Sequence, residues 1–266
     1  MSKAINFTAI YAIVLRHLFN WKKDLDRVVD AFWWATIDII FWGLTSLYIK
    51  QSQALTADLV GLFVGGIIFW TVVQNAQREI NMPLLDEAWN RNLINVFTTP
   101  IRLREFVIAT ICLGLFKLTI TLIFLSIVAF IFYQFNLFRY GWYLLPAFFN
   151  LILVGWWIGF IVDGLILRYG YRIQAFAWAF IFIIYPFSAV IYPVSILPMW
   201  AKVIASILPT SYIFENMRSI LFGGQFSPAS IVIALSLNIM YLSLSIVFLK
   251  ASFKHALKHA RLVRLN

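Results

Sequence analysis

The sequence predicts an all-α, multi-pass membrane protein, and three observations carry that prediction. Of its 266 residues 62% are hydrophobic and 12% charged, whereas soluble domains run at roughly 45–50% and about 25%. Mean hydropathy is +0.87. Six apolar stretches, near 30–49, 57–77, 105–133, 143–167, 173–193 and 229–249, each approach or exceed the ~20 residues that a crossing helix needs. The third observation is where the basic residues fall. With the N-terminus inside, sixteen of the 21 Lys and Arg lie in inward segments and only Lys50, Arg139, Lys202 and Arg218 lie outside. That asymmetry places both termini in the cytoplasm. It also makes the net charge of +10 a matter of topology and lipid headgroups rather than nucleic-acid binding. Cys112 is the one cysteine and sits in an apolar run, which excludes a disulfide framework or a cysteine metal cluster.

Residues 1–29 are too interrupted to span. Asn6, Arg16, His17, Asn20, Lys23, Asp24 and Arg27 fall on one helical arc. Phe7, Tyr11, Val14, Leu15, Leu18 and Leu25 fall on the other, and only Ile13 is out of place. The pattern predicts an amphipathic helix on the membrane surface. No small-residue cleavage site follows, so it does not read as a signal peptide. Residues 30–77 hold spans one and two, the second with Gly61, Gly65 and Gly66 in a weak G-x-x-x-G packing signal.

The sizeable inward loop is 78–104. Asn81 and Pro83 read as a helix start, with Asp86 and Glu87 near its positive end. Leu85, Trp89, Leu93, Val96 and Phe97 then form one apolar stripe, and Pro100 closes it. From spacing alone such a helix can lie on lipid as readily as in a protein groove.

Residues 105–193 hold spans three to five, 194–227 an interrupted stretch, and 228–266 span six with a basic tail. Pro186, Pro193, Pro198 and Pro209 break any straight helix between Tyr185 and Gly224. Lys202, Glu215 and Arg218 make a full crossing there costly. The reading is a pair of short helices that dip in from the outer side and return. Such broken backbone is tolerated at depth only where protein or a water-filled cavity covers it.

Asp38 and Lys117 are charges inside spans, at ~12 and ~18 Å from the cytoplasmic side by helical rise, close enough for a structural pair. Asp163 lies near the inner end of span four, within reach of the interface or Arg168. His255 and His259 stand at i, i+4, but the tail offers no third metal ligand, so a basic tail on anionic lipid is the better reading. The aromatic residues of the spans, Trp33, Trp34, Trp42, Trp156, Trp157 and Trp178 among them, suit an interfacial belt, lipid contact or the lining of a route. The chain contains no G-x-x-x-x-G-K-[ST], no H-E-x-x-H and no G-x-S-x-G, so neither nucleotide binding by that loop nor those catalytic centres are expected. The two halves do not show the matched broken helices of an inverted-repeat transporter.

The stretch Pro186-Phe-Ser-Ala-Val-Ile-Tyr-Pro193, with Leu197-Pro198-x-Trp200, Leu208-Pro209-x-Ser211-Tyr212 and Glu215-x-x-Arg218, resembles the signature of type-2 ABC exporter permeases. That family usually has Gly where this chain has Ala189. Trp89-Asn-Arg-Asn-Leu-x-x-Val-Phe-Thr-Thr-Pro100, followed by Glu105-Phe106, is similar to the coupling helix by which such permeases engage their ATPase. The resemblance implies a subunit exporting an amphipathic or lipid-linked substrate (glycan, lipid or drug) across the bacterial plasma membrane. It implies two copies of a cytoplasmic ABC ATPase holding ATP and Mg, and a second permease copy, as a homodimer. Leu85, Asp86, Glu87, Trp89, Arg91, Leu93 and Phe97 would couple to the ATPase. Pro186, Pro193, Pro198, Pro209, Tyr212, Glu215 and Arg218 would form the re-entrant gate, and no metal or catalytic residue is implied. Two alternatives stand beside it: an ion-coupled transporter using Asp38 and Lys117, and a membrane-embedded lipid-processing enzyme. Dependence on a separate ATPase rather than a proton gradient separates the first, and an essential carboxylate or histidine would mark the second.

Overall fold

Helix is the one regular structure that closes its own backbone hydrogen bonds within a single apolar segment, and every regular element among the described residues is helical. The structure, a computed structural model, describes residues 6–23, 25–53, 58–90, 92–99 and 101–258. In order these form α1 (Phe7–Lys23), α2 (Leu25–Gln53), α3 (Leu59–Trp89), α4 (Leu93–Thr98), α5 (Leu103–Tyr133), α6 (Leu144–Tyr169), α7 (Ala175–Ile184), α8 (Met199–Ile207), α9 (Pro209–Leu221) and α10 (Pro228–Lys258). Asp24, Arg91, Pro100 and His259 lie outside the described residues.

Among the described residues, five stretches are long and apolar enough to cross a membrane: Phe32–Gln51, Leu59–Trp89, Leu103–Tyr133, Leu137–Tyr169 and Pro228–Lys258. α3 is the central one, with 83% of its most apolar window buried against 17% for α2 and α10. It packs along α6, α5 and α2, while α6 packs in turn on α10. The α3–α6 contact is close because Gly155 and Gly159 have no side chain. A Cβ at Gly155 would stand 2.5 Å from that of Ala76, and one at Gly159 2.8 Å from that of Ile80. This pair, rather than the G-x-x-x-G of α3, brings two long helices together. Gly61, Gly65 and Gly66 instead admit Leu221, the Tyr140 hydroxyl and the Val190 carbonyl.

α3, α6 and α10 run in the same direction, since Gly155 meets Ala76 and Asp163 meets Asn81, while Asn238 meets Asn150, Tyr241 meets Trp157 and Ser252 meets Arg168. We call the end with Trp89, Tyr169 and Lys258 proximal and the end with Asp58 and Gly223 distal. At the distal end the Asp58 carboxylate caps α3, accepting from the Gly61 amide at 2.8 Å, and pairs with Arg139.

The fifth apolar stretch, 173–193, is not a long helix, so five rather than six helices among the described residues are long enough to cross. α7 stops at Ile184 and passes into a 3₁₀ turn, Tyr185–Phe187. Pro186 has no N–H for the carbonyl one turn back, so the helix cannot run on through 193. The chain enters α7 at the proximal end and reaches α10 at the distal end, making that passage in pieces.

A second correction concerns 78–104. Asn81 and Pro83 do not start a helix: α3 continues through both to Trp89. A proline inside a helix removes one hydrogen bond, and here the buried packing of Leu84, Leu85 and Ala88 around it keeps the axis continuous. The break comes at Asn90, and the expected single helix becomes the end of α3 plus the six-residue α4.

α1 packs chiefly against α5. Ile10, Ile13 and His17 are its buried face, while Phe7, Tyr11 and Phe19 are exposed. Ile13 therefore faces the protein, and α1 carries one apolar face inward and another outward.

Candidate functional site

The proximal junction is built around Glu87. Its carboxylate pairs with Arg16 of α1 at 2.7 Å and accepts from the Asn92 side chain at 2.6 Å, while its carbonyl accepts the Asn92 amide at 2.8 Å. One residue thus ties α1, the end of α3 and the turn into α4. Glu105 makes a second tie, its carboxylate accepting the Arg102 amide at 2.9 Å and the Asn6 amide at 3.0 Å. A shallow groove of about 230 Å³ lies between these elements, lined by Ile13, Arg16, Asn92, Asn95, Val96 and Thr99 among others.

This geometry corrects the expected docking stripe. Leu85 is fully buried and Glu87 is 2% exposed, with Asp86 also inside, so none of the three is presented to a partner. Continuing α3 past Pro83 turns them inward. Trp89 is half-exposed, its indole N–H donating to Gln174 at 2.7 Å. Leu93 and Phe97 lie on α4, whereas Val96 is buried.

The expected pairing of Asp38 with Lys117 is also corrected. The Lys117 ammonium binds Glu79 of α3 at 2.8 Å and stands 5.3 Å from the centre of the Trp21 ring. Glu79 lies across from Lys117 because α3 stays helical and buried to its proximal end, which puts what looks like a loop-edge residue inside the bundle. Asp38 is exposed on α2 and makes no ion pair or hydrogen bond among the described residues. Asp163 does not reach Arg168 either. It accepts from Asn81 at 2.7 Å, and Asn81 also donates to the Gly159 carbonyl at 2.8 Å. Gln77 donates to Asn81 at 2.6 Å and to the Ala177 carbonyl at 2.7 Å. This buried network joins α3, α6 and α7. Arg168 turns to Ser252 at 2.9 Å and to the face of Phe248.

On the other side of the same stretch of α3, a groove of about 250 Å³ opens between α2, α3 and α7. Thr71, Gln74, Asn75 and Arg78 form its floor, and Trp34 and Trp178 stand on its two walls. Arg78 is held to Asn75 at 2.6 Å. Polar side chains at this depth, flanked by indoles, suit a molecule that is part polar and part apolar.

The interrupted stretch has a defined construction. Pro186 lies in the 3₁₀ turn, Pro193 precedes a second one, Pro198 caps α8 and Pro209 opens α9. Between α7 and α8 the backbone is irregular, and the first turns of α9 satisfy it. The Ser211 hydroxyl donates to the Phe187 carbonyl at 2.9 Å, and Thr210 donates to Ser188 at 2.8 Å. Glu215 accepts the Val194 amide at 2.6 Å and pairs with Arg218 at 3.1 Å, and Arg218 donates to the Ala189 carbonyl at 2.8 Å. The Glu-x-x-Arg motif is therefore a clamp on both ends of the 189–194 turn. Ala189 has φ +57° and is fully buried, a left-handed conformation that favours glycine. The common glycine of the resembled signature finds its physical reason there.

α8 and α9 form a hairpin whose tip lies partway down the bundle, since Leu221 meets Gly61 while Phe214 packs near Phe69 and Trp70. Two tyrosines cap the carbonyls left open at the end of α8: Tyr212 donates to Ser206 at 2.8 Å and Tyr241 of α10 to Ile207 at 2.9 Å. Tyr241 and Thr210 escape a sequence reading. Thr210 directly follows Pro209, but nothing local singles out Tyr241 among the serine hydroxyls of α10.

A search of curated proteins gives no significant match. The sequence profile of the ABC-2 type transporters matches residues 8–222, which takes in α1 through α9 and so both the proximal junction and the hairpin. The chain belongs to the ABC-2 type transporter family, as the multi-pass membrane subunit of an ABC transporter whose partner is an ABC ATPase.

Proposed function

We propose that this chain is the membrane half of an ATP-driven exporter that moves an amphipathic or lipid-linked substrate (glycan, lipid or drug) from the cytoplasm or inner leaflet of a bacterial plasma membrane. The groove between α2, α3 and α7 carries this reading. Its polar floor and indole walls match a cargo with a polar head and an apolar remainder. Two copies stand side by side, with both termini and the proximal end in the cytoplasm, an orientation that the excess of basic residues in those segments supports. Two ATPase subunits holding ATP and Mg bind at α4, Trp89 and the adjoining face of α1. Trp89 is the last residue of α3, so a push there moves the central helix as a rigid body. The hairpin of α8 and α9 is the gate towards the outside.

The test is reconstitution of permease and ATPase in liposomes with a fluorescent lipid-linked cargo. Transport should require ATP and the ATPase and survive collapse of the proton gradient. Gln74→Leu should lower transport while leaving co-purification of the subunits intact. Transport by the permease alone, driven by a proton gradient, would overturn the reading.

A further inference from the structure

Asp38 is a carboxylate within a crossing helix that no group of its own chain answers. It makes no ion pair or hydrogen bond among the described residues. Lys117 is taken by Glu79 and Arg218 by Glu215, while Arg78 is held to Asn75. A charge at this depth either finds a partner or lines a path for something that is one. The helix face on which Asp38 stands decides between these.

Trp34 and Ala35 belong to the α2 wall of the groove between α2, α3 and α7. Asp38 follows them by four and three residues, hence on the same face and one turn nearer the distal end. Trp42, one turn further again, stacks on Phe63 of α3 at 5.4 Å. Asp38 is therefore level with about residue 67 of α3, just distal to Thr71 on the groove floor. On the opposite wall stand Trp178, Ile181 and Phe182 of α7. Tyr185 lies one turn beyond Ile181, packs edge-on against Trp70 at 4.8 Å and is within electrostatic range of Asp38. A carboxylate and a phenol ring thus flank the distal end of the groove from its two walls.

The groove's charges are separated along its length. Arg78 sits at the proximal end of the floor, eleven residues or roughly 16 Å from the level of Asp38. Between them the rings of Trp34 and Trp178 are exposed, and no cation of the described residues covers either. An anion at the distal end would meet the carboxylate, and a neutral head would leave it unpaired. A cation gains both the carboxylate and the ring faces.

We propose that the α2–α3–α7 groove takes a cargo whose polar head is cationic, an ammonium group held by the Asp38 carboxylate and the faces of Trp34, Trp178 and Tyr185. The apolar remainder of the cargo lies along Ile181 and Phe182. Pairing with the head relieves the isolated charge of Asp38, so occupancy and neutrality of the groove coincide. The inference rests on the groove being the cargo route, as proposed above, and names the charge of what it takes.

The test uses the permease with its ATPase in dodecyl maltoside micelles, whose heads are uncharged. Three fluorescent probes share one acyl tail and carry a trimethylammonium, a phosphate or a glycerol head. The ammonium probe should bind at least tenfold more tightly than the glycerol probe. That ratio should fall to within twofold in Asp38→Asn and persist in Asp38→Glu. In the parent protein, labelling of Asp38 by a lipid-soluble carbodiimide, read by peptide mass, should drop at least threefold with the ammonium probe alone. Equal binding of the three heads, or equal protection by them, overturns the inference, and so does a preference that survives Asp38→Asn. ATP-driven transport of the glycerol or phosphate probe in such a case leaves the exporter reading standing. If Gln74→Leu alters the binding of none of the probes, the groove is not the cargo route and both readings fall.

Discussion

Replacing Lys117 with methionine strands the Glu79 carboxylate inside the bundle. The pair is 2.8 Å long, and its side chains are 14% and 10% exposed, so solvent screens it little. At an effective dielectric of ~20 the attraction at that distance is about 6 kcal/mol before desolvation is subtracted. Breaking a buried pair from one side costs ~3–5 kcal/mol, whereas removing both charges is often nearly neutral. Glu79 sits close against α5, where a Cβ on Gly114 would stand 2.9 Å from its own Cβ. Lys117→Met and Glu79→Gln should therefore each lose several kcal/mol, and the double variant should return to within ~1 kcal/mol of the parent. The assay is a double-mutant cycle on unfolding in mixed micelles, with Asp38→Asn and Lys117→Met as a second cycle. The first should show strong coupling and the second simple addition. Additive losses for Glu79 and Lys117 would refute the pairing.

Three further outcomes are expected. Trp89→Ala should leave the permease folded but weaken its association with the ATPase by ~2 kcal/mol, the usual scale for an aromatic anchor. Undiminished co-purification would mean the ATPase binds elsewhere. Ala189→Val should destabilise the chain, because a β-branched residue fits φ +57° poorly. Ala189→Gly should stay within ~1 kcal/mol of the parent, since relief of left-handed strain offsets loss of a buried methyl. Thermal unfolding of the two variants checks this, and equal midpoints would count against the strained turn. Asn81→Leu removes the donor to Asp163 and should cost at least ~1–3 kcal/mol as a buried acceptor is stranded, with Asp163→Asn in the same background recovering part of it.

Much of this architecture is legible in the sequence because apolar length and periodicity act locally. The four prolines mark where the helices of the 185–224 stretch break, and the wheel of residues 7–23 gives α1 with its outward arc. What fails is inference about partners. Lys117 has two carboxylates within a plausible height, and hydropathy cannot tell that α3 runs on past Pro83 to bring Glu79 inside. The same continuation buries Leu85 and Glu87, which a stripe drawn on an isolated helix shows as surface. Ile13 looks misplaced on a wheel that assumes one solvent face and one lipid face, because the wheel omits the protein. Gly155 and Gly159 carry the same spacing as Gly61 and Gly65, and only the packing of α6 on α3 distinguishes them. Ala189 illustrates the converse: the resemblance singles out that position, and the backbone angle supplies the cause.

The two tyrosine caps at the end of α8 also constrain motion. One hydroxyl comes from within the hairpin and the other from α10. If α10 slid while the hairpin stayed, the half-exposed Ile207 carbonyl would lose the Tyr241 hydroxyl, a loss of about one hydrogen bond, ~0.5–1.5 kcal/mol. The hairpin tip and α10 therefore travel as one body over small displacements. Freedom to open lies instead along the seam where α9 meets α3, among the rings of Phe214, Phe69 and Trp70, whose contacts are apolar and have no direction to lose.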